Sequence, residues 1–143
     1  MRLMIFELRP PILEKVGLVA ALQSRLDAVE NRAGFQTSFH AEGAIHLSPV
    51  QESELYRIVQ EALNNVIKHA QATQVNVQVV AENRCVRITV EDDGVGFTPE
   101  FVESSGGQGF RNMRERAGNI GATCSFESIP GKGTKVTIEV NQL

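Results

Sequence analysis

The sequence predicts an α+β two-layer domain, with a mixed, mostly antiparallel sheet and helices packed on one face. Three observations carry that expectation. Val75, Val77, Val79 and then Val86, Ile88, Val90 alternate with polar residues, the period of half-buried strands. Strand candidates are joined by short turns, around Asn83 and at Pro130-Gly131, which suit hairpins and leave no room for crossover helices. Three segments instead carry helical spacing, near residues 12–32, 49–69 and 108–119.

Each element follows from its residues. Pro10 and Pro11 suit a first helical turn, where a missing N–H costs little. Leu13, Val16, Ala20, Leu22, Leu26 and Val29 then form a helical stripe that Gly34 ends. Phe35 to Phe39 and Ala44 to Leu47 read as two short strands split by Glu42-Gly43. Ser48-Pro49-Val50-Gln51 predicts a helix start: Ser48 caps, Pro49 fits the first position and Gln51 completes a capping box. That helix is expected to reach His69, burying Leu55, Ile58, Val59, Ala62, Leu63 and Val66 with Ile67 nearby. Residues from Phe97 to Gly107 lack periodicity and read as a mobile loop. A last hairpin places Ala122, Cys124 and Phe126, then Val136, Ile138 and Val140, on the inner face.

The 143 residues suffice for one core, and the apolar fraction of 42% with 22% charged is ordinary for a globular chain. A net charge of -3 implies no basic surface for nucleic acid. No apolar run approaches the ~20 residues that span a bilayer, and Glu7 interrupts the apolar start. A cytoplasmic domain without direct membrane contact is the expectation. Cys85 and Cys124 form no metal-ligand spacing and read as small core residues. His40, His46 and His69 are scattered.

Four short motifs remain, in one order. In Glu61-Ala-Leu-Asn-Asn65-Val-Ile-Lys68-His69, the spacings of three and four stack Glu61, Asn65 and Lys68 or His69 along one helix side. A carboxylate, a carboxamide and a cation on such an edge suit a metal–phosphate group, or simply form a solvated polar face. In Asp92-Asp93-Gly94-Val95-Gly96-Phe97, Asp92 continues the inward parity of Val90 and Asp93 points away. A carboxylate there needs a donor, either an adenine amino group or the local N–H groups of an Asp-Gly turn. Gly94 and Gly96 permit a sharp turn and close approach to a flat ligand. Gly107-Gln108-Gly109-Phe110 opens a helix whose N-terminus offers N–H groups to phosphate. In Gly131-Lys132-Gly133-Thr134, Thr134 shares the inward face of Val136, so Asp92 and Thr134 are expected on one side of one sheet.

Other nucleotide motifs fail. A Walker A loop needs Gly where Phe126 stands and a hydroxyl residue where Gly133 stands, and Pro99 occupies the third glycine of a Rossmann fingerprint. His-Arg-Asp and Asp-Phe-Gly are missing as well.

The ordered set resembles the GHKL, or Bergerat-fold, ATPases, and within them the catalytic ATP-binding domain of bacterial sensor histidine kinases. Glu61–Ala70 is similar to the N box, Asp92–Phe97 to the G1 box, Gly107–Phe110 to the G2 box and Gly131–Thr134 to the threonine-bearing segment. Glu7-Leu8-Arg9-Pro10-Pro11, Glu-Ala-Leu-Asn-Asn-Val-Ile-Lys-His-Ala and Gly-Phe-Arg-Asn-Met-Arg-Glu-Arg-Ala resemble the nitrate-sensor and lipid-desaturase-regulator type. The likeness spans nearly the whole chain. It implies ATP and Mg²⁺ as cofactors, with Asn65 as metal ligand and Glu61 and Asn65 at the reacting phosphate. Lys68 and His69 would contact phosphates, Asp92 and Thr134 adenine. Gly94, Gly96, Phe97, Gly107, Gly109 and Phe110 would frame the nucleotide, with residues from Phe97 to Gly107 as its lid. It further implies two parts, 1–33 as the tail of a dimerisation helix with linker and 34–143 as the ATP-binding domain. The partners implied are a dimerisation and phosphotransfer domain and a response regulator, with LuxR-type output. No histidine here lies in a phosphoacceptor box, so autophosphorylation of this chain is not expected. An anti-sigma-type serine kinase and a non-catalytic interaction module are the rival readings.

Overall fold

The computed structural model describes residues 11–34, 36–70, 72–96 and 108–142, with the side chains of 11–16, 31–33, 69–70 and 108 outside the description. The leading Glu7-Leu8-Arg9-Pro10, Phe35 and the segment from Phe97 to Gly107 therefore lie outside the described residues. The described elements run α1 (Pro11–Ala33), β1 (Gln36–Glu42), α2 (Pro49–Asn65), a π-helical turn (Val66–Ala70), β2 (Gln74–Glu82), β3 (Cys85–Asp92), α3 (Gln108–Asn119), β4 (Thr123–Ile129) and β5 (Gly133–Asn141). Among the described residues no helix is long and apolar enough to cross a membrane.

The strands form one sheet in the order β1-β2-β3-β5-β4. β1 pairs parallel with β2, and every other pair is antiparallel. β2 and β3 are a hairpin turned by Asn83 and Arg84, both at positive φ (52° and 65°), as a primed two-residue turn demands. The inward parity of the strands holds: Val75, Val77, Val79, Val86, Ile88, Val90, Val136, Ile138 and Val140 are buried. They join Leu18, Ala21, Leu22, Leu26 and Val29 of α1, the apolar stripe of α2, and Phe110, Met113 and Ala117 of α3 in one core. Helices thus cover one face, while Gln78, Arg87 and Glu91 on the other are exposed.

The Ser48 capping box forms as its residues predict, with Ser48 Oγ accepting from Gln51 N–H at 3.1 Å and Gln51 Oε1 accepting from Ser48 N–H at 2.9 Å. Three expectations need correction. Ala44–Leu47 is not a strand: His46 N–H donates instead to the Gln142 side chain at 2.8 Å, which ties the segment across the end of β5. The first helix is broken at Gly17, whose φ of 82° and ψ of 175° are not helical, and the turn it re-aims buries Leu18 and Ala21 while Ala20 is exposed. Ile67 is 45% exposed, because the α-helical pitch of α2 gives way to a π-helical turn at Val66. π-helical turns of this kind gather at functional sites.

Both cysteines are unpaired and half-buried, and burial pushes the Cys124 thiol up to about 11, which keeps it protonated and inert at neutral pH.

Gly133 begins β5 at φ +115°, and a Cβ there would stand 2.1 Å from the Asp92 carbonyl oxygen. Gly133→Ala is expected to cost about 2–4 kcal/mol, from backbone strain plus overlap that neither strand can relieve. Gly118→Ala, whose new methyl meets nothing within 4 Å inside α3, is expected to be neutral or stabilising by up to about 1 kcal/mol. Urea denaturation of the two variants measures the contrast.

Candidate functional site

The site residues fall into two groups on the helix-covered side of the sheet. The first is at the end of β3. Asp92 is the last residue of that strand and the Cα partner of Thr134 at the start of β5, so the inward parity of both strands puts them side by side. Asp92 is 8% exposed and Thr134 6%. Burial raises the Asp92 pKa above the ordinary 3.8, and the backbone N–H groups of Gly94 and Thr134 oppose the rise. Gly94 N–H reaches Asp92 Oδ1 at 2.8 Å, so the carboxylate does cap the local turn. That satisfies part of its acceptor capacity and leaves a buried charge, held by N–H donors, able to take a further donor.

Asp93, one residue on, does the opposite. It is exposed and its carboxylate accepts from Thr73 N–H at 2.8 Å, Thr73 Oγ1 at 2.6 Å and Gln74 N–H at 2.9 Å. These bonds, led by the Thr73 hydroxyl, hold its pKa below the usual value. Asp93 thereby clasps the end of β3 to the start of β2 and fixes the turn that aims Asp92.

Thr134 is oriented by a residue the sequence pattern did not single out. Ser128 on β4 is its Cα partner, and the two hydroxyl oxygens lie 3.0 Å apart. Gly96, at φ +73°, passes so close to this hairpin that a Cβ would meet the Ile129 carbonyl oxygen at 2.4 Å. Gly131 N–H then donates to the Val95 carbonyl at 2.6 Å, so the glycines of the two motifs let one loop lie against the other. Only the pairing of β4 with β5 brings Ser128 here, and no spacing along the chain signals it.

The second group lies between α2 and α3. Glu61 and Asn65, one turn apart on α2, are half-buried. Gly109, in the first turn of α3, packs against both: a Cβ on it would stand 3.1 Å from Glu61 Oε2 and 3.1 Å from Asn65 Oδ1. The Asn65 Nδ2 atom is buried with no hydrogen-bond partner among the described residues. A buried amide without a partner is costly unless a ligand completes it. Phe110 is 3% exposed, its ring edge-on to Phe126 at 4.8 Å, so it anchors the start of α3 to β4. Arg114 stacks over the same Phe126 ring, 4.8 Å from its centroid.

Lys68 is exposed on the π-helical turn, and the His69 side chain lies outside the described residues. Phe97 and Gly107 lie outside them as well. The structure therefore joins Asp92, Gly94, Gly96 and Thr134 in one group and Glu61, Asn65 and Gly109 in another. Among the described residues no group of three or more His, Cys, Asp or Glu is placed to hold a metal ion. Asn65 Oδ1 fits Mg²⁺ all the same, since that ion takes few protein oxygens and completes its shell with water and phosphate.

The model of the family described as histidine kinase-, DNA gyrase B-, and HSP90-like ATPase matches residues 50–143. An uncharacterized sensor-like histidine kinase of Chloroflexus aurantiacus is 38% identical over 97% of this chain and 25% of its own length. The sensor histidine kinase LiaS of Bacillus subtilis is 36% identical over 98% of this chain and 38% of its own. For the oxygen sensor histidine kinase NreB of Staphylococcus carnosus the figures are 36%, 94% and 39%, so the chain spans well under half of each of these relatives. The histidine kinase domain of a blue-light activated kinase from Erythrobacter litoralis shares the fold with a TM-score of 0.74, at 23% identity over 87% of this chain and 60% of that one. With α-helices over one face of a five-stranded mixed sheet, and a buried acid and an unpartnered amide where the motifs place them, the match over residues 50–143 makes this chain a member of the histidine kinase-, DNA gyrase B- and HSP90-like ATPase family.

Proposed function

We propose that this chain is the ATP-binding catalytic domain of a sensor histidine kinase of the nitrate-sensor and desaturase-regulator type. The observation that carries this reading is the Asp92 carboxylate, buried opposite Thr134 at a strand end and held by backbone N–H groups. A buried charge without a cation among its partners costs stability, and an adenine amino group is a donor that would use it. The Thr134 hydroxyl, held by Ser128, supports the same edge of the base.

The phosphates would then run from this pocket to the second group. Asn65 would hold Mg²⁺ through its amide oxygen, and the ion's positive charge would offset that of the phosphates. Lys68 adds a cation on the next turn, and His69 follows it. Glu61, whose Oε2 shares the space around Gly109 with the Asn65 amide, supplies a carboxylate at the phosphate end. The first turn of α3 presents N–H groups to anionic oxygens. Catalysis on this scheme is positioning and charge neutralisation. A histidine nitrogen on a dimerisation domain attacks the γ-phosphorus, the bond from that phosphorus to the β-bridging oxygen breaks, and ADP leaves. The phosphoryl group then passes to an aspartate of a response regulator with LuxR-type output, in the cytoplasm.

Asp92→Asn is expected to weaken ATP binding by about 10- to 100-fold, the loss of a charged acceptor, as titration calorimetry would read. Unchanged affinity would remove the adenine assignment. The ionised Asp92 is the acceptor, so binding is full above its raised pKa and falls as the pH drops through it, starting above the 3.8 of an ordinary aspartate. In Asp92→Asn that portion of the pH dependence disappears. Asn65→Ala should abolish the gain in ATP affinity that Mg²⁺ gives while leaving adenosine binding within about twofold. Transfer of labelled phosphate to an added histidine-bearing helical domain, and none to added serine substrates, is the outcome expected of a histidine kinase.

A further inference from the structure

Two charged residues are buried in the described structure, and the nucleotide reading uses only Asp92. The other is Glu54, near the start of α2 and 8% exposed. Both of its carboxylate oxygens are occupied by the last turn of α3. Arg116 Nη1 donates to Oε1 at 2.8 Å, and Asn119 Nδ2 donates to Oε2 at 2.9 Å. The two helices therefore run antiparallel, with Glu54 against Arg116 and Asn119 at one end and Glu61 and Asn65 against Gly109 at the other.

An ion pair taken largely out of water, here with Glu54 buried and Arg116 partly exposed, seldom adds much net stability over apolar side chains of the same size, because desolvation offsets the attraction. Its distinct property is direction: a carboxylate bound on both oxygens fixes one helix along and around the axis of the other. The apolar layer between α2 and α3, with Ile58, Ala62, Met113 and Ala117 in the common core, does not do this, since such packing keeps its stability while losing a unique arrangement. At 1.5 Å per residue, Glu54 lies about 16 Å from Asn65 along α2, and Gly109 about 15 Å from Asn119 along α3. A shift at the clamp is thus transmitted by a rigid helix to the first turn of α3. There the backbone of Gly109 lies so near the Asn65 and Glu61 side chains that a Cβ added to it would stand 3.1 Å from Asn65 Oδ1 and 3.1 Å from Glu61 Oε2.

We infer that Glu54, gripped by Arg116 and Asn119, is a positioning residue that holds the first turn of α3 in register over Glu61 and Asn65, and so sets the affinity for the phosphate part of the nucleotide. The inference rests on the ATP reading above. It separates geometry from stability, which makes it testable with the double substitution Glu54→Met/Arg116→Leu. Thermal denaturation of this variant is compared with calorimetric titration of ATP and adenosine, both with Mg²⁺. The expected result is a melting temperature equal to or above that of the wild type, ATP affinity lowered about tenfold, and adenosine affinity within about twofold, since misplacement by an ångström is worth that much or more at a reacting group. Glu54→Gln, which keeps one acceptor but turns a donor toward Asn119, is expected to give a smaller loss for ATP, about threefold. Unchanged ATP affinity in a stable double variant overturns the inference. So does an equal loss for ATP and adenosine, which is general loosening, or a double variant that no longer unfolds cooperatively while Glu54→Gln binds ATP normally, which assigns the pair to stability alone. A folded wild type that binds neither ligand overturns the ATP reading itself, whatever the variants do.

Discussion

The pairing of Asp92 with Thr134 is the constraint on which the rest of the site depends. It is a matter of register before it is a matter of chemistry. Strands β3 and β5 lie at the middle of the sheet, and a slip of one residue between β3 and β5 would turn one strand's apolar set out of the core. The core therefore enforces the register, and the register places a carboxylate and a hydroxyl side by side just where both strands end. The fold bears a buried charge there because the Gly94 and Thr134 N–H groups share it. Neighbouring Asp93 shows how local the difference is: the next residue on the other face is exposed, and its carboxylate is an ordinary clasp across three donors of Thr73 and Gln74.

The glycines around this pair act through what they lack. Gly133 lets the start of β5 lie against the Asp92 carbonyl, and Gly96 lets the loop after β3 press on the β4–β5 turn. Backbone approaches that close hold the loop against the hairpin that carries Ser128 and Thr134. The setting of Asp92 and Thr134 is thus a product of backbone contact as much as of side chains.

Much of this was legible in the sequence, and the reason is periodicity. Alternation in β2, β3 and β5 gave their inward faces, and parity carried the argument from Val90 to Asp92 and from Val136 back to Thr134. The capping box at Ser48 and the turn at Asn83 were equally local. What could not be read were facts of pairing between distant segments. Nothing along the chain says that β1 lies parallel to β2, or that β5 sits between β3 and β4, so Ser128 had no signal. The loss of a strand at Ala44–Leu47 has the same origin: a tertiary bond from His46 N–H to the Gln142 side chain outweighed a weak local preference for strand. Glu54 was invisible because a glutamate in the second turn of a helix is ordinarily a solvated residue. Its burial depends on Arg116 and Asn119, more than sixty residues away.

The two groups of site residues rest on different kinds of support, and this bears on how the domain works. The Asp92 group is built on a sheet whose strands are fixed by their neighbours on both sides. The Asn65 group is built on two helices, where apolar packing fixes distance more tightly than register. The Asn65 amide sits on this second support, just where the α-helical pitch of α2 changes to a π-helical turn. On the proposed ATP reading, the Asp92 end would receive the base and the Asn65 end the phosphates, so the two parts of the nucleotide would meet different kinds of support. The helix-borne end depends on the register of α3 against α2, and the only charged side chain buried between α2 and α3 among the described residues is Glu54.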